Sequence, residues 1–261
     1  VATVIGQVCG CILAIWFNHK KNTDITLSLR GFRPDLRLIG EIYAIGLPSV
    51  IMIAIGSVMT FLMNKILITY HAAHETAATA FGTYFKLNSF IFMPVFGMNN
   101  GMVPIVAYNY GAQNRRRMVE TIKRGALYAS CIMVFGTILF WAIPGPLLKI
   151  FDASDTLLSV GIPALRIISL SFCMAGASIA LGSSFQALGK SFYSMITSIV
   201  RQLVFLIPIA YVLARYGVSV GNSDLVWWSY PIAEVFSLVL TLAFFRRLYK
   251  TIIAPLPEGR E

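Results

Sequence analysis

Charge is what this sequence has least of. Asp, Glu, Lys and Arg make up 12% of its 261 residues, about half of the ~25% found in soluble domains. With 57% hydrophobic residues and a mean hydropathy of +0.74, too few polar groups remain to cover a folded surface, which excludes a water-soluble fold. Acidic residues are scarcer still, 11 against 21 Lys and Arg, and the net charge is +10. Such a balance suggests nucleic acid only when the basic residues share a face of a polar domain. Here they stand in short clusters between apolar runs, so no nucleic-acid partner is expected. The four cysteines, Cys9, Cys11, Cys131 and Cys173, all fall inside apolar stretches and form no metal-type CxxC pair, so neither a disulfide nor a zinc site is expected. No GxSxG, HExxH, Walker or Rossmann pattern occurs, and with them go the common enzyme classes and any cofactor. Alternation of period two is missing too, and that excludes the ~10-residue strands of a lipid-facing barrel.

Long apolar runs are there in abundance. A helix needs ~20 mainly apolar residues to cross ~30 Å of hydrocarbon, because each residue adds only ~1.5 Å. Seven segments meet or nearly meet that length: 1–17, 41–69, 77–108, 121–143, 157–187, 192–213 and 227–245. The expected fold is therefore all-α and integral to a membrane, with seven transmembrane helices. The first segment has no basic residue ahead of it and no A-x-A cleavage site, so it is not a signal peptide. It reads as a spanning helix entered partway, and predicts that the chain is part of a longer one.

The Lys and Arg residues set the orientation. Loops one, three and five and the tail hold fifteen of them, whereas the alternate loops hold only Lys149 and Arg215. By the positive-inside rule the first group, and the C-terminus with it, is cytoplasmic. The remaining four, Lys65, Lys86, Arg166 and Arg201, lie within or at the ends of spans. This divides the chain into an orphan helix (1–17), a polar cytoplasmic linker (18–40), a six-helix lobe (41–247) and a cytoplasmic tail (248–261). It is the pattern of a twelve-helix protein with two pseudo-symmetric halves, entered inside its first half.

Two groups of residues inside the spans stand out. Pro48, Pro94, Pro104, Pro163, Pro208 and Pro231 lie in or at the edge of five of the last six spans, and each removes a backbone donor. Pro94, Gly97, Gly101 and Pro104 cluster around Asn99 and Asn100, so the third span is expected to bend or fray there; with Pro48 and Pro231 they are the hinge candidates. Gly176, Ala180 and Ser184 recur at four-residue spacing, which permits close helix packing.

The second group is polar. An ionisable side chain at membrane depth costs at least ~2.5 kcal/mol on insertion scales and marks a candidate functional position. Glu234 lies seven residues past Trp227, about 10 Å into the membrane. It is placed to hold a proton, a sodium ion or a cationic substrate, or else to pair with a basic residue such as Arg166. Lys86 sits about ten residues into its span with Asn88 beside it, and calls for a buried partner or a water-filled cavity. Arg201, Asn64 and Gln186 complete the transport-pathway candidates, with Gln202 as a further hydrogen-bonding residue. His71, His74 and Glu75 have a zinc-like spacing but no third and fourth ligand nearby, and read as a solvated external loop.

The stretch GMNNGMVPIVAYNYGAQNRRRMVETIKRG (97–125) resembles the sequence that follows the second helix of each half in the multidrug and toxic compound extrusion (MATE) family. GLPSV (46–50), SSFQALGKS (183–191), SIVRQLVFLIP (198–208) and YPIAEVFSLVLTLAFFRR (230–247) match in order and spacing. The resemblance implies helix six at 1–17 and helices seven to twelve at 41–247, forming the C-terminal lobe of a bacterial plasma-membrane exporter. Such proteins expel amphipathic, often cationic drugs in exchange for sodium ions or protons by rocking between two access states, with the bilayer and the N-terminal lobe of the same protein as partners. One branch of the family carries acidic cation-site residues in helices seven and ten. Those positions fall near Gly56 and Ala177 here, and neither is a carboxylate. Two other readings compete. A lipid-linked oligosaccharide flippase of the same broad fold requires several cationic residues in its cavity. A seven-helix receptor agrees with the count of spans but not with the motifs.

Overall fold

The computed structural model describes residues 2–21 and 35–257, and among these there is no β-strand. Two compact units are present, residues 1–44 and 45–261. In the first, α1 (Ala2–Lys21) is a 20-residue helix whose apolar side chains face outward and which ends on His19, Lys20 and Lys21. Cations there oppose the negative end of the helix dipole, and Lys20 and Lys21 lie over the rings of Trp16 and Phe17 at 5.0 and 5.9 Å. The expected linker 18–40 falls largely outside the described residues. Its described ends are helical: α1 runs to Lys21, and α2 (Leu36–Tyr70) begins at Leu36, inside the expected linker.

The second unit is a helical bundle. After α2 come α3 (His74–Gly111), α4 (Arg115–Ala142), the short α5 (Pro144–Lys149), α6 (Asp155–Ser169), α7 (Phe172–Ala187), α8 (Ser191–Ile199), α9 (Ile207–Val220) and α10 (Ser229–Leu248). Local chemistry sets several ends. Asn114 caps α4 by accepting from the Arg117 amide at 3.1 Å, Ser154 caps α6 through the Leu157 amide, and Gly221, at φ 73°, closes α9 in the left-handed conformation that suits glycine. Among the described residues five helical stretches are long and apolar enough to cross a membrane, or six when α6 and α7 count as one span bent by 51°. The expected seventh span at 1–17 is formed as a helix but is not among those six.

The apolar windows of the five single-helix spans are at most 28% buried within the protein. Phe61, Phe90, Phe135 and Val239 point outward. Water would not tolerate so much exposed apolar surface, whereas lipid does. Inward, Phe81, Phe140, Phe172 and Trp227 are fully buried. At Gly176 a Cβ would stand 2.9 Å from the Ala129 carbonyl oxygen, so the close packing expected of that small-residue stripe is where α7 meets α4.

The expectation that the third span frays needs correction. Helix α3 runs unbroken through Pro94, Gly97, Gly101 and Pro104, and all four lie on its exposed face while Val95, Asn99, Met102 and Val106 form its buried one. A proline on the outer face clashes with no neighbouring helix, and the fraying expected there does not occur. The sharp bend falls instead at Leu170 and Ser171, between α6 and α7, where no proline stands. Pro48 sits inside α2, and Pro231 is buried in the first turn of α10.

Candidate functional site

Helix α8 runs into α9 through a π-helical stretch, Val200–Leu206, in which the Ile207 amide donates to the Gln202 carbonyl five residues back. Pro208 provides the cause. Its nitrogen carries no hydrogen for the Val204 carbonyl and its ring crowds it, so the ladder shifts by one residue. π-Helical turns of this kind recur at functional sites. Here the turn carries Arg201 and Gln202.

Opposite stands α10. Glu234, Ser237 and Thr241 follow one another at three- and four-residue spacing on its buried face, with Val235, Val239 and Leu242 exposed on the other. The Glu234 carboxylate is 6% exposed, and its Oε2 lies 3.5 Å from Nη1 of Arg201. The Arg201 side chain keeps 30% of its surface open. A lone carboxylate at this depth would be expensive, and the guanidinium supplies the compensating charge. The partner expected for this carboxylate, Arg166, is not the one it has. Arg166 belongs to α6, where its carbonyl accepts from the Trp141 indole at 3.0 Å; sequence spacing gave no means of seeing that the π turn brings Arg201 round to α10.

Around the pair lie two cavities. The smaller, about 570 Å³ of empty space including its mouth, is bounded by Tyr84, Phe85, Phe92 and Tyr230 together with Met59, Asn88, Arg201 and Glu234. It combines aromatic walls with one carboxylate. The larger, about 1130 Å³, is bounded by amides and hydroxyls, among them Asn99, Ser178, Gln186 and Ser237, and by Arg201. Among the described residues Arg201 is the only Lys or Arg in either lining. Several of these polar atoms have no protein partner, both ends of the Asn99 amide and the hydroxyl of Ser237 among them, while the Ser178 hydroxyl stands beside the Glu234 carboxylate as its hydrogen-bond donor. Thr241, fully buried farther along the same face of α10, has no protein partner. Buried polar groups are normally satisfied by protein or water, so such a concentration marks a wet or ligand-holding region.

The other sequence candidates divide. Asn88 lines the smaller cavity and Gln186 the larger. Asn64 faces an open recess beside Gly56, Arg201 and Gln202. Lys86 lines neither cavity; it is exposed, with its ammonium 5.6 Å from the Phe151 ring in the loop between α5 and α6. Among the described residues Lys86 has no buried partner or cavity of the kind expected, and its long stem reaches an aromatic face instead. Nor is the turn at 71–75 a solvated loop throughout. His71 is buried, its Nδ1 accepts from the Ala73 amide at 3.1 Å, its Nε2 lies 3.7 Å from Asp224, and its ring packs 6.0 Å from that of Trp227. Among the described residues no three metal-ligating side chains come together. Ser178, Ser237, Thr241, Tyr84 and Tyr230 went unremarked in the sequence. Ser237 and Thr241 were accessible to a helical reading from Glu234; Ser178 and Tyr84, on other helices, carried no such signal.

The comparisons with known proteins agree in direction. The MatE family profile matches residues 48–212, more than half the chain. The multidrug export protein MepA of Staphylococcus haemolyticus is 25% identical over 241 residues, covering 92% of this chain and 51% of the relative; MepA of Staphylococcus aureus is 24% identical over 235 residues, 90% and 50%. This chain therefore spans about half the length of the curated relatives it matches. Among solved structures, an outward-facing multidrug resistance MATE family transporter of the MOP superfamily superposes with TM-score 0.85 at 20% identity, over 96% of this chain and 55% of that one. A MOP superfamily transporter from Pyrococcus furiosus gives 0.86 at 20%, over 96% and 56%.

Proposed function

The chain belongs to the MatE family, and from that premise we propose that it forms the C-terminal lobe of a secondary active exporter, a transporter rather than an enzyme. That exporter moves amphipathic, often cationic small molecules across the bacterial plasma membrane in exchange for sodium ions or protons, with the basic loops and the C-terminus on the cytoplasmic side. The observation that carries the reading is the carboxylate of Glu234, 6% exposed and held by Arg201 at the edge of an aromatic cavity. Aromatic faces and one buried negative charge suit a flat organic cation. A coupling ion that competes for the same carboxylate changes which access state is more stable, and in this way a gradient drives efflux. Asn88 and the Tyr84 and Tyr230 rings bound the space such a substrate would fill, and Gln186, Asn64 and Arg201 line the neighbouring spaces. Pro48, Pro231 and the outer-face stripe of α3 are the positions proposed to flex as the lobes rock.

The test uses the full-length protein, expressed in a drug-sensitive bacterium, with ethidium accumulation followed in the presence and absence of a sodium or proton gradient. Lower accumulation that depends on a gradient is expected; accumulation equal to that of cells carrying the empty vector, whatever the gradient, would refute the exporter. Glu234→Gln should abolish gradient-driven efflux at unchanged protein level. Unaltered efflux would leave Glu234 with packing alone.

A further inference from the structure

The two cavities that meet at Arg201 differ in charge: the smaller is lined by both Arg201 and Glu234, the larger by Arg201. Among the described residues no Asp or Glu lines the larger one, and its single charge is the Arg201 guanidinium. Glu234 belongs to the lining of the smaller cavity alone. A guanidinium carries five N–H donors in a planar fork. The ion pair engages Nη1 at 3.5 Å, which leaves donors for the other side. Asn99, 4% exposed, offers an amide with neither end partnered, and the unpartnered hydroxyl of Ser237, 1% exposed, lines the same space. Each of these two groups can donate a hydrogen bond to an anionic oxygen. Met52, Ile53 and Phe96 supply an apolar wall for the body of a ligand. A cation placed here would meet the guanidinium first, with Glu234 behind it and no carboxylate among the described residues of the lining.

We propose that the larger cavity is a binding site for an amphipathic organic anion, a carboxylate or phosphate group resting on Arg201 and hydrogen-bonded by Asn99 and Ser237. Cation and anion thereby take opposite faces of one ion pair: a cation in the aromatic cavity competes with Arg201 for Glu234, and an anion in the larger cavity competes with Glu234 for Arg201. The site depends on the transporter reading for its setting in a membrane lobe, and on none of that reading's claims about coupling or drug export.

The experiment is equilibrium binding to the full-length protein in detergent micelles, followed by fluorescence polarisation of carboxyfluorescein as the anionic probe and of ethidium as the cationic one. Saturable carboxyfluorescein binding is expected, weakened at least tenfold by Arg201→Gln and about threefold by Asn99→Ala, with ethidium affinity changed less than twofold by Asn99→Ala. Because Arg201→Gln alone leaves Glu234 unpaired and can unfold the lobe, the double variant Arg201→Gln with Glu234→Gln is measured beside it. It should elute as the unaltered protein does and still lose the anion. Competition by phosphatidylglycerol doped into the micelles would identify a lipid headgroup as the source of the anion, and indifference to it a soluble one; the site stands in both cases. It falls if the unaltered protein shows no saturable carboxyfluorescein binding, or if the double variant binds the probe as tightly as the unaltered protein. Gradient-driven ethidium efflux, measured separately, decides the exporter reading and leaves this outcome untouched.

Discussion

At the scale of single residues, Arg201 and Glu234 are unequal partners, and the inequality has a measurable consequence. The Glu234 side chain is 8% exposed, whereas the Arg201 side chain keeps 30% of its surface in open space. Arg201→Gln therefore strands a carboxylate away from water, at a cost of about 3 kcal/mol. Glu234→Gln strands a guanidinium that already borders three open spaces, at about 1 kcal/mol or less once solvent screening is counted. Thermal unfolding of the detergent-solubilised full-length protein should rank Arg201→Gln as the less stable of the two, with the double variant restored toward the Glu234→Gln value. Equal melting temperatures for the two single variants would mean that the carboxylate is not held by this arginine. Sequence reading found both residues because charge at membrane depth is conspicuous. It missed their pairing, because a π turn adds a residue per turn and rotates Arg201 off the face that a regular helix would give it.

Among elements, contact between helices is governed by what lies across from each glycine. Gly176 of α7 faces the backbone of α4, and a Cβ there would stand 2.9 Å from the Ala129 carbonyl oxygen and 3.0 Å from the Ser130 Cα. Backbone cannot step aside as a flexible side chain can, so the two helices must separate. Gly182, six residues along the same helix, would place its Cβ 3.9 Å from the Ser194 hydroxyl, an ordinary contact. Gly176→Ala should thus cost about 1–3 kcal/mol, while Gly182→Ala is neutral or slightly stabilising through helix propensity. Thermal unfolding of the two variants in detergent checks the pair, and a Gly176→Ala protein as stable as Gly182→Ala would contradict the packing. The four-residue repeat of small residues made this contact legible beforehand. The bend was not legible in the same way. Proline positions pointed to α3, yet that helix is continuous with its prolines facing outward, and the 51° bend between α6 and α7 arises where no residue type announces it.

For the whole molecule the strongest sequence signals were those that lipid imposes. Continuous apolar runs foretold the long helices after residue 35, since a chain in hydrocarbon has to satisfy its backbone within each segment. The cavities were invisible, because they depend on which faces of α3, α7 and α10 turn inward together. Orientation rests on the distribution of Lys and Arg, and two exposed turns at opposite ends of the bundle test it. Gln113 follows α3 beside the arginines at 115–117, and Asp152 lies between α5 and α6; both are exposed and have positive φ. Cys131 and Cys173 are exposed along the spans, so the full-length protein is first freed of its cysteines, and one is then returned as Gln113→Cys or Asp152→Cys. In intact cells a membrane-impermeant maleimide should label the Asp152→Cys protein and spare the Gln113→Cys protein, and permeabilisation should bring the second up to the level of the first. A reversed pattern would put fifteen basic residues outside the cell, against the rule that sets topology by retaining them in the cytoplasm. Labelling of both in intact cells would mean that an odd number of crossings does not separate these turns, although α4 alone runs from one toward the other as a single span of 28 residues.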